Sequence, residues 1–213
     1  MEIKRKSEFY FIFKRLFDFI SSILFFAVFS PLFILILLIN CFCTKGHPFY
    51  VDMRVGKNGK ILKLIKFRSM YIDAETCPEK YFGKEEYEMW KKERKVENDP
   101  RITKFGAFLR KSSLDELPQI FNIIMGSMSI VGPRPLVQTE LKINYNEEQQ
   151  KVFMNAKPGL ISNWGVNGRN NITYDTGERQ RLELEYYSKR SLWYDFKLII
   201  KAVFVVLSRK GAR

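Results

Sequence analysis

An uncharged run from Phe19 to Thr44, rich in Phe, Ile and Leu, dominates the hydrophobic pattern of this chain. The run is long enough to cross a bilayer as a helix. It is too long for a cleavable signal peptide, and no small-residue cleavage site closes it. Ser30 and Pro31 lie near its centre, where proline removes a backbone donor and crowds the preceding turn. The pattern predicts an apolar helix with a kink at that point.

Basic residues flank this run on both sides, and they bear on its path through a membrane. Cytoplasmic flanks carry an excess of Lys and Arg, so both ends are drawn to the cytoplasmic side. A helix-break-helix hairpin that re-enters one leaflet satisfies both flanks, whereas a straight span leaves one outside. A single-pass anchor stays an alternative, because proline is common in spanning helices. The cations are Lys4, Arg5, Lys6, Lys14 and Arg15 before the run, and Lys45, Arg54, Lys57, Lys60 and Lys63 after it.

Short apolar runs between Phe49 and Met70 predict a β-hairpin, because Asn58 and Gly59 between them favour a tight turn. The next segment, from Asp73 to Asp99, is polar and highly charged. It predicts a surface excursion with an exposed helix over Glu85 to Lys95.

Apolar residues recur at helical spacing near the end of the chain. Such a strip indicates either an interfacial helix lying on anionic headgroups or a helix packed on the protein core, and periodicity alone leaves both open. The strip comprises Phe196, Ile199, Ile200, Val203, Phe204 and Leu207, among Lys197, Lys201, Arg209 and Lys210.

Together these elements predict an α+β fold in two parts. Residues 1–46 would form the basic flank and the re-entrant membrane helix. Residues 47–213 would form a mainly helical cytoplasmic domain with a small β-sheet and an amphipathic helix on the membrane surface.

Composition narrows the classes of partner and site. The 213 residues carry a formal net charge of +13, which predicts an anionic partner: nucleic acid, anionic lipid or a phosphorylated substrate. The three cysteines show no paired spacing that suggests a zinc site or a disulfide framework. The single histidine, His47, excludes a histidine-cluster metal site, and its place before Pro48 indicates a loop residue.

Two adjacent carboxylates, Asp115 and Glu116, lie in one of the most basic stretches of the chain. Cations keep such acids ionised and also attract phosphates, so the pair is suited to holding a metal or attacking phosphorus. A structural alternative is a capping box, in which Ser113 and Glu116 cap the helix predicted from Leu117 to Met125. The two roles are compatible, because a helix N-terminus also binds phosphate.

Two loops present arginines to anions. Prolines fix the backbone on both sides of Arg134, and a rigidly held guanidinium suits bidentate phosphate binding. Arg169 lies in a second loop, Asn167 to Asn170. In isolation, either loop could equally be a surface turn.

An ordered set of short motifs resembles the small monotopic phosphoglycosyl transferases, a family of bacterial sugar transferases, from Lys14 to about Leu198. Each motif is weak alone, but their order is highly specific. They are Lys14, Arg15 and Asp18, then Ser30-Pro31, Lys66 to Met70, Asp99 to Arg101, Leu109-Arg110, Ser113 to Gln119, Gly132 to Pro135, Pro158-Gly159, Asn167 to Asn170, and Ser191 with Asp195.

The resemblance implies transfer of a sugar 1-phosphate from a UDP-sugar to undecaprenyl phosphate, with release of UMP. It implies that Asp115 is the nucleophile of a covalent, ping-pong reaction that needs Mg²⁺, and that the enzyme sits on the cytoplasmic face of the bacterial inner membrane. On this basis Asp115 is also a candidate metal ligand, and Glu116 would orient the metal or the lipid phosphate. Candidate phosphate contacts are Lys66, Arg68, Arg110, Arg134 and Arg169, while Ser30 and Pro31 would set the membrane dip.

Four positions depart from the family pattern: Asp52, Ser127, Gly165 and Glu183. They leave the acidic pair intact and bear on sugar specificity and on how lipid or nucleotide is held. Two other classes compete with an enzyme. A nucleic-acid binder should show stacking platforms or a reading helix, and neither is present; a silent scaffold should have lost the acids. A dimer has no heptad or other signature to support it.

Overall fold

The computed structural model describes residues 7–44, 46–74, 76–83, 86–87, 99–168, 172 and 174–207. Most of the helix predicted over Glu85 to Lys95 lies outside this part, as do Arg169, Lys45 and the basic residues before Ser7. The helices are α1 (Glu8–Thr44), α2 (Lys104–Ser112), α3 (Gln119–Ile124), α4 (Gln138–Asn144), α5 (Glu147–Phe153), α6 (Asn163–Asn167), α7 (Glu178–Lys189) and α8 (Leu192–Leu207). The strands are β1 (Phe49–Val55), β2 (Ile61–Phe67), β3 (Ser129–Val131) and β4 (Gly159–Ile161). The predicted α+β class is confirmed.

The apolar run forms one continuous helix of 37 residues, with Pro31 inside it. The prediction of two helices separated by a break at Ser30 and Pro31 is corrected to this extent. A proline removes one backbone hydrogen-bond donor from the helix, but the hydrogen bonds of the flanking turns can still keep the helix continuous. By length and composition α1 could cross a membrane. Its re-entrant path stays a prediction.

Most of the α1 surface is apolar and exposed, but polar groups recur every fourth residue along the first half. Phe9, Ile12, Leu16 and Leu24 are among the exposed side chains. The buried or half-buried stripe between them consists of Tyr10, Lys14, Asp18 and Ser22. A helix that faces protein along one polar stripe and is apolar elsewhere is suited to contact with lipid.

The predicted hairpin is confirmed. Strands β1 and β2 pair with each other, and the turn between them spans Lys57–Gly59. Asn58 has φ 58° and Gly59 has φ 73°, both in the left-handed region that Asn and Gly tolerate best. The Asn58 amide donates to the carbonyl of Met154 at 2.8 Å. The turn chemistry visible in the sequence is therefore the chemistry that joins the two strands.

The chain divides into two compact units, and α1 and the hairpin contribute to both. The first unit takes in the residues up to Val28, Val51–Leu64 and those from Gln119 onward; the second takes in Phe29–Tyr50 and Ile65–Pro118. The predicted division at residue 46, between membrane and cytoplasmic parts, stays a prediction.

The first unit is built on the short parallel pair β3 and β4, in which Ser129 lies opposite Gly159 and Val131 opposite Ile161. Its main core packs around this pair. The buried members are Val55, Val131, Leu136, Leu141, Tyr145, Phe153, Leu184, Tyr186, Tyr187 and Leu198. The polar stripe of α1 joins this unit through Asp18, which accepts hydrogen bonds from Ser129 Oγ at 2.7 Å and from the Ile130 amide at 3.1 Å.

Helix α8 combines the two alternatives predicted for the end of the chain. Leu198 is buried in the core and Ile199 packs against it. On the same helix Trp193, Phe196 and Phe204 are exposed. One face is therefore core, and the other keeps the apolar surface expected of an interfacial helix.

The second unit holds α2 against the segment that follows β2. Thr103 caps α2 by accepting a hydrogen bond from the Gly106 amide at 2.8 Å, and the Thr103 amide donates to the Ser69 carbonyl at 3.1 Å. A Cβ at Gly106 would lie 1.9 Å from the carbonyl oxygen of Ser69. Glycine is therefore required at this crossing, whatever its cost to the helix.

We predict that Gly106→Ala lowers the free energy of unfolding by about 1–3 kcal/mol, because backbone must move to admit the methyl group. Gly83→Ala is the matched control, since a Cβ there would meet no described residue closer than 3.7 Å. Thermal unfolding of both variants in the same detergent checks this. Equal melting temperatures would show that the α2 crossing can relax at no cost.

Candidate active site

The acidic pair lies on a short helical turn directly after α2. Ser113 ends α2 in the left-handed conformation, with φ 58° and ψ 17°, and its amide donates to the carbonyl of Arg110 at 3.2 Å. A non-glycine residue rarely adopts this conformation, which reverses the chain within one residue. The turn Leu114–Glu116 follows at once and carries both acids.

The capping box predicted between Ser113 and Glu116 is wrong. The side chain of Ser113 makes no capping hydrogen bond. An N-cap residue needs an extended backbone to direct its hydroxyl at the first amides of a helix, and Ser113 is left-handed instead. Helix α3 also begins later than predicted, at Gln119. Helix capping therefore does not explain the acidic pair.

The carboxylate of Asp115 is half-buried, and this burial raises its pKa to about 6. The neighbouring Glu116 charge acts in the same direction, while Lys66 and Arg110 draw the pKa of Asp115 down. Burial thus outweighs the cations that were expected to keep the acid ionised. At pH 7 the group is still about nine-tenths ionised, but poorly solvated, and such a carboxylate is more reactive than one in water.

Lys66 and Arg110 bring positive charge to the pair from two other elements. Lys66, near the end of β2, places Nζ 3.5 Å from Glu116 Oε1. Arg110, in the last turn of α2, donates from Nε to Ser69 Oγ at 2.8 Å. Within the part of the chain that the structure describes, Asp115 itself has no ion-pair partner. Its carboxylate can therefore react without first losing a salt bridge.

A magnesium site would have to be built on few protein ligands. Within the described ranges, no three His, Cys, Asp or Glu side chains cluster as a complete metal site. Mg²⁺ keeps several waters and is often held by one or two carboxylates together with substrate phosphates. The adjacent oxygen donors of Asp115 and Glu116 fit that kind of site.

Arg68 is engaged by the protein itself. Its Nε donates to the carbonyl of His47 at 2.9 Å and its Nη2 to the carbonyl of Phe49 at 3.2 Å. The guanidinium also lies over the ring of Tyr50, 5.8 Å from its centre. These contacts hold the segment before β1, and they confirm His47 as an exposed loop residue. Phosphate binding by Arg68 stays a prediction.

Arg134 belongs to the first unit, where two glycines in close contact set its backbone. A Cβ at Gly159 would lie 2.0 Å from the amide nitrogen of Gly132. The Arg134 amide donates to Glu183 Oε2 at 3.2 Å, and its guanidinium lies 5.4 Å from the ring centre of Trp164. The rigid presentation predicted from the flanking prolines is consistent with these contacts.

Glu183 is a buried acid whose importance the sequence did not reveal. It is 1% exposed and also accepts a hydrogen bond from Ser162 Oγ at 3.1 Å. Burial raises the pKa of Glu183 to about 7, against the pull of these hydrogen bonds and of the Arg134 charge. This acid stands at one of the four departures from the family pattern. It serves to hold the Arg134 segment.

The other three residues that depart from the family pattern also form hydrogen bonds within the protein. Asp52 accepts a hydrogen bond from Arg54 Nε at 2.9 Å, Ser127 Oγ donates to the Asn122 carbonyl at 3.1 Å, and the Gly165 amide donates to Ser162 Oγ at 3.0 Å. Arg169 lies outside the described residues. Asn167, which the sequence placed in the same loop, is instead the last residue of α6 and donates to Asn163 Oδ1 at 2.8 Å.

Sequence reasoning missed two supports of the site. Ser69 orients Arg110, and its place in the Lys66 to Met70 motif could have drawn attention to it. Asp99 and Arg101 form a bidentate pair, with Nε 2.9 Å from Oδ1 and Nη2 2.6 Å from Oδ2. The motif that contains this pair was noted, but its internal salt bridge was not predicted.

Comparison with known proteins gives the family. Residues 9–209 match the bacterial sugar transferase family. The exopolysaccharide production protein ExoY of Rhizobium meliloti is 39% identical over 201 residues, which cover 93% of this chain and 87% of that protein.

Two longer relatives match as well. The undecaprenyl-phosphate galactose phosphotransferase of Salmonella typhimurium is 41% identical over 211 residues, 98% of this chain and 43% of that protein. The UDP-glucose:undecaprenyl-phosphate glucose-1-phosphate transferase of Escherichia coli is 34% identical over 209 residues, 93% of this chain and 41% of that protein. The chain thus spans less than half the length of these two relatives. With nearly all of its residues inside the family match, the chain belongs to the bacterial sugar transferase family.

Proposed function

We propose that this protein transfers a sugar 1-phosphate from a UDP-sugar to undecaprenyl phosphate, releases UMP, and so initiates the assembly of a glycan or surface polysaccharide. The observation that carries the proposal is the half-buried Asp115 carboxylate, with Lys66 and Arg110 nearby, in a chain of this family. The names of the Salmonella and Escherichia relatives specify undecaprenyl phosphate as the lipid carrier.

In the first step a carboxylate oxygen of Asp115 attacks the phosphorus that carries the sugar. A new oxygen–phosphorus bond forms, the bond to the bridging oxygen breaks, and UMP leaves with the electron pair. The product is an aspartyl phosphosugar. The low solvation of Asp115 favours attack, and the charges of Lys66 and Arg110 offset the negative charge that develops on the diphosphate.

In the second step a phosphate oxygen of undecaprenyl phosphate attacks the same phosphorus. The bond to Asp115 breaks, the carboxylate is restored, and the lipid-linked diphosphosugar is released. Glu116, whose carboxylate lies beside Lys66, would orient the lipid phosphate. Arg68, Arg134 and Arg169 remain candidates for further phosphate contacts.

Magnesium fits this reaction as a bound cofactor at Asp115 and Glu116. When bound, it would supply positive charge that neutralises the diphosphate and stabilises the UMP leaving group. The protein's part is to keep both carboxylates adjacent on one turn and to surround them with Lys66 and Arg110.

The exposed apolar surface of α1 supports membrane attachment. We place both ends of α1 on the cytoplasmic side of the bacterial inner membrane, because basic residues flank it on both sides. A helix that dips into one leaflet brings the protein to the depth of lipid phosphates, while a UDP-sugar arrives from the cytoplasm. The exposed rings of Trp193 and Phe196 on α8 suit the same interface.

We predict that Asp115→Asn lowers UMP release from a panel of UDP-sugars by about 10³-fold or more, because an amide cannot form the covalent intermediate. Purified protein with Mg²⁺ and undecaprenyl phosphate provides the assay. Asp73→Asn, which alters a half-buried acid paired with the exposed Lys80, is the control and should keep activity. Undiminished release by Asp115→Asn would remove this residue from its role.

The pH dependence of the first step tests the surroundings of Asp115. Because only the ionised carboxylate attacks, single-turnover UMP release should fall as the pH drops through about 6, the raised pKa of this group. Lys66→Met removes a charge that draws this pKa down, so the midpoint should move to higher pH. Lys80→Met removes a cation that pairs with Asp73 instead, so this variant should leave the pH midpoint unchanged. A midpoint that moves down in Lys66→Met would contradict this account of the site.

The path of α1 is tested by labelling single cysteines in intact spheroplasts. In a background with Cys41, Cys43 and Cys77 replaced by serine, Ser7→Cys and Lys60→Cys should both resist an impermeant thiol reagent until the membrane is opened. A re-entrant helix keeps both ends inside. Labelling of either position from outside would establish a spanning anchor instead.

A further inference from the structure

A cavity of about 200 Å³ in the first unit is lined by five cationic side chains and one carboxylate. The cations come from α1, the hairpin turn, the segment before β4 and the end of α7. They are Lys14, Arg15, Lys57, Lys157 and Arg190, and the carboxylate is Asp18. None of these was assigned to the acidic pair or to its phosphate contacts.

The single carboxylate of the cavity does not neutralise these charges. Asp18 already accepts hydrogen bonds from Ser129 and Ile130. Among the cations, Lys14 pairs with Asp195 at 2.7 Å, and Arg15 donates to the carbonyls of Ile123 and Ile124. The three that remain therefore decide what the cavity can hold.

Arg190 is 5% exposed, and its Nε is buried without a hydrogen-bond partner among the residues that the structure describes. Lys57 and Lys157 form no ion pair with any described carboxylate. Burial and the nearby charges of Arg15 and Lys57 lower the pKa of Lys157. The Arg190 guanidinium lies 5.6 Å from the ring centres of Phe11 and Tyr187. Its buried Nε still lacks an acceptor, and together with two lysines that form no described ion pair it calls for an anion.

An apolar groove adjoins the cavity and shares Phe11 and Arg15 with it. The groove is shallow and open, and Ile12, Leu16 and Phe19 of α1 complete its lining. The cavity is smaller than the roughly 300 Å³ or more of pockets that enclose drug-sized ligands, which disfavours a whole nucleotide. A phosphate group beside a hydrocarbon chain matches the cationic lining of the cavity and the apolar surface next to it.

We propose that this cavity binds the phosphate of an anionic phospholipid, whose acyl chain lies in the groove along α1. The inference rests on the membrane attachment argued above, but it is independent of the chemistry at Asp115. Such a lipid would supply the acceptor that Arg190 lacks and would hold the first turns of α1 at the depth of the headgroups.

The test is a lipid titration of the full chain in neutral detergent, followed by native mass spectrometry. The probes are phosphatidylglycerol and phosphatidylcholine of equal chain length. The double variant Lys57→Gln with Lys157→Gln should bind phosphatidylglycerol about tenfold more weakly than the wild type, because two phosphate contacts are lost. The matched control, Lys60→Gln with Lys151→Gln, removes two exposed lysines outside the cavity and should leave the affinity unchanged.

Two binding results would overturn the inference: equal phosphatidylglycerol binding by the double variant and the wild type, or equal wild-type affinity for phosphatidylcholine and phosphatidylglycerol. Displacement of the lipid by an equal concentration of inorganic phosphate would also overturn it. So would a matching loss of undecaprenyl phosphate binding in the double variant. The last would make the cavity a substrate site. The titration is repeated on Asp115→Asn, which should bind phosphatidylglycerol normally. If the wild type releases UMP but does not prefer phosphatidylglycerol to phosphatidylcholine, only the lipid site is refuted. If it prefers phosphatidylglycerol but releases no UMP, only the proposed reaction is refuted.

Discussion

The structure depends on how α1, which is apolar over most of its surface, holds the charged groups of its single polar stripe. Lys14 and Asp18 would be costly in any apolar environment without partners. Each has one: Lys14 pairs with Asp195, and Asp18 is held by Ser129 and the Ile130 amide. These contacts fix the rotation of the first half of α1 on its unit. They therefore decide which side chains of α1 face outward and which line the cationic cavity.

The same physics of burial gives three acids three different tasks. Asp18 is fully satisfied by hydrogen bonds and serves as an anchor. Glu183 is more deeply buried than Asp115, yet two donors hold it in place, so its raised pKa accompanies a structural role. Asp115 is less buried and has no ion-pair partner within the described chain, which leaves its carboxylate free to react. The reactivity that we propose for Asp115 thus rests on its lack of an ion-pair partner rather than on burial alone.

Local chemistry was readable from the sequence, and tertiary chemistry was not. The Asn58-Gly59 turn was predicted correctly because those two residues favour its left-handed conformation locally. The capping box failed because Ser113 takes a left-handed conformation, which sequence spacing does not reveal. The helix continues through Pro31, because a single missing donor need not end it. The cations of the cavity lie between positions 14 and 190, and only the folded chain brings them together.

The bond between Lys14 and Asp195 joins positions 181 residues apart. During synthesis α1 emerges long before Asp195, the partner of Lys14. Until Asp195 is made, the charge of Lys14 must be solvated by water or by lipid headgroups. Helix α1 cannot reach the rotation that it has on its unit until α8, which carries Asp195, has been made. Folding of α1 onto its unit therefore depends on α8, and a chain that ends before α8 would lack the Asp195 partner of Lys14.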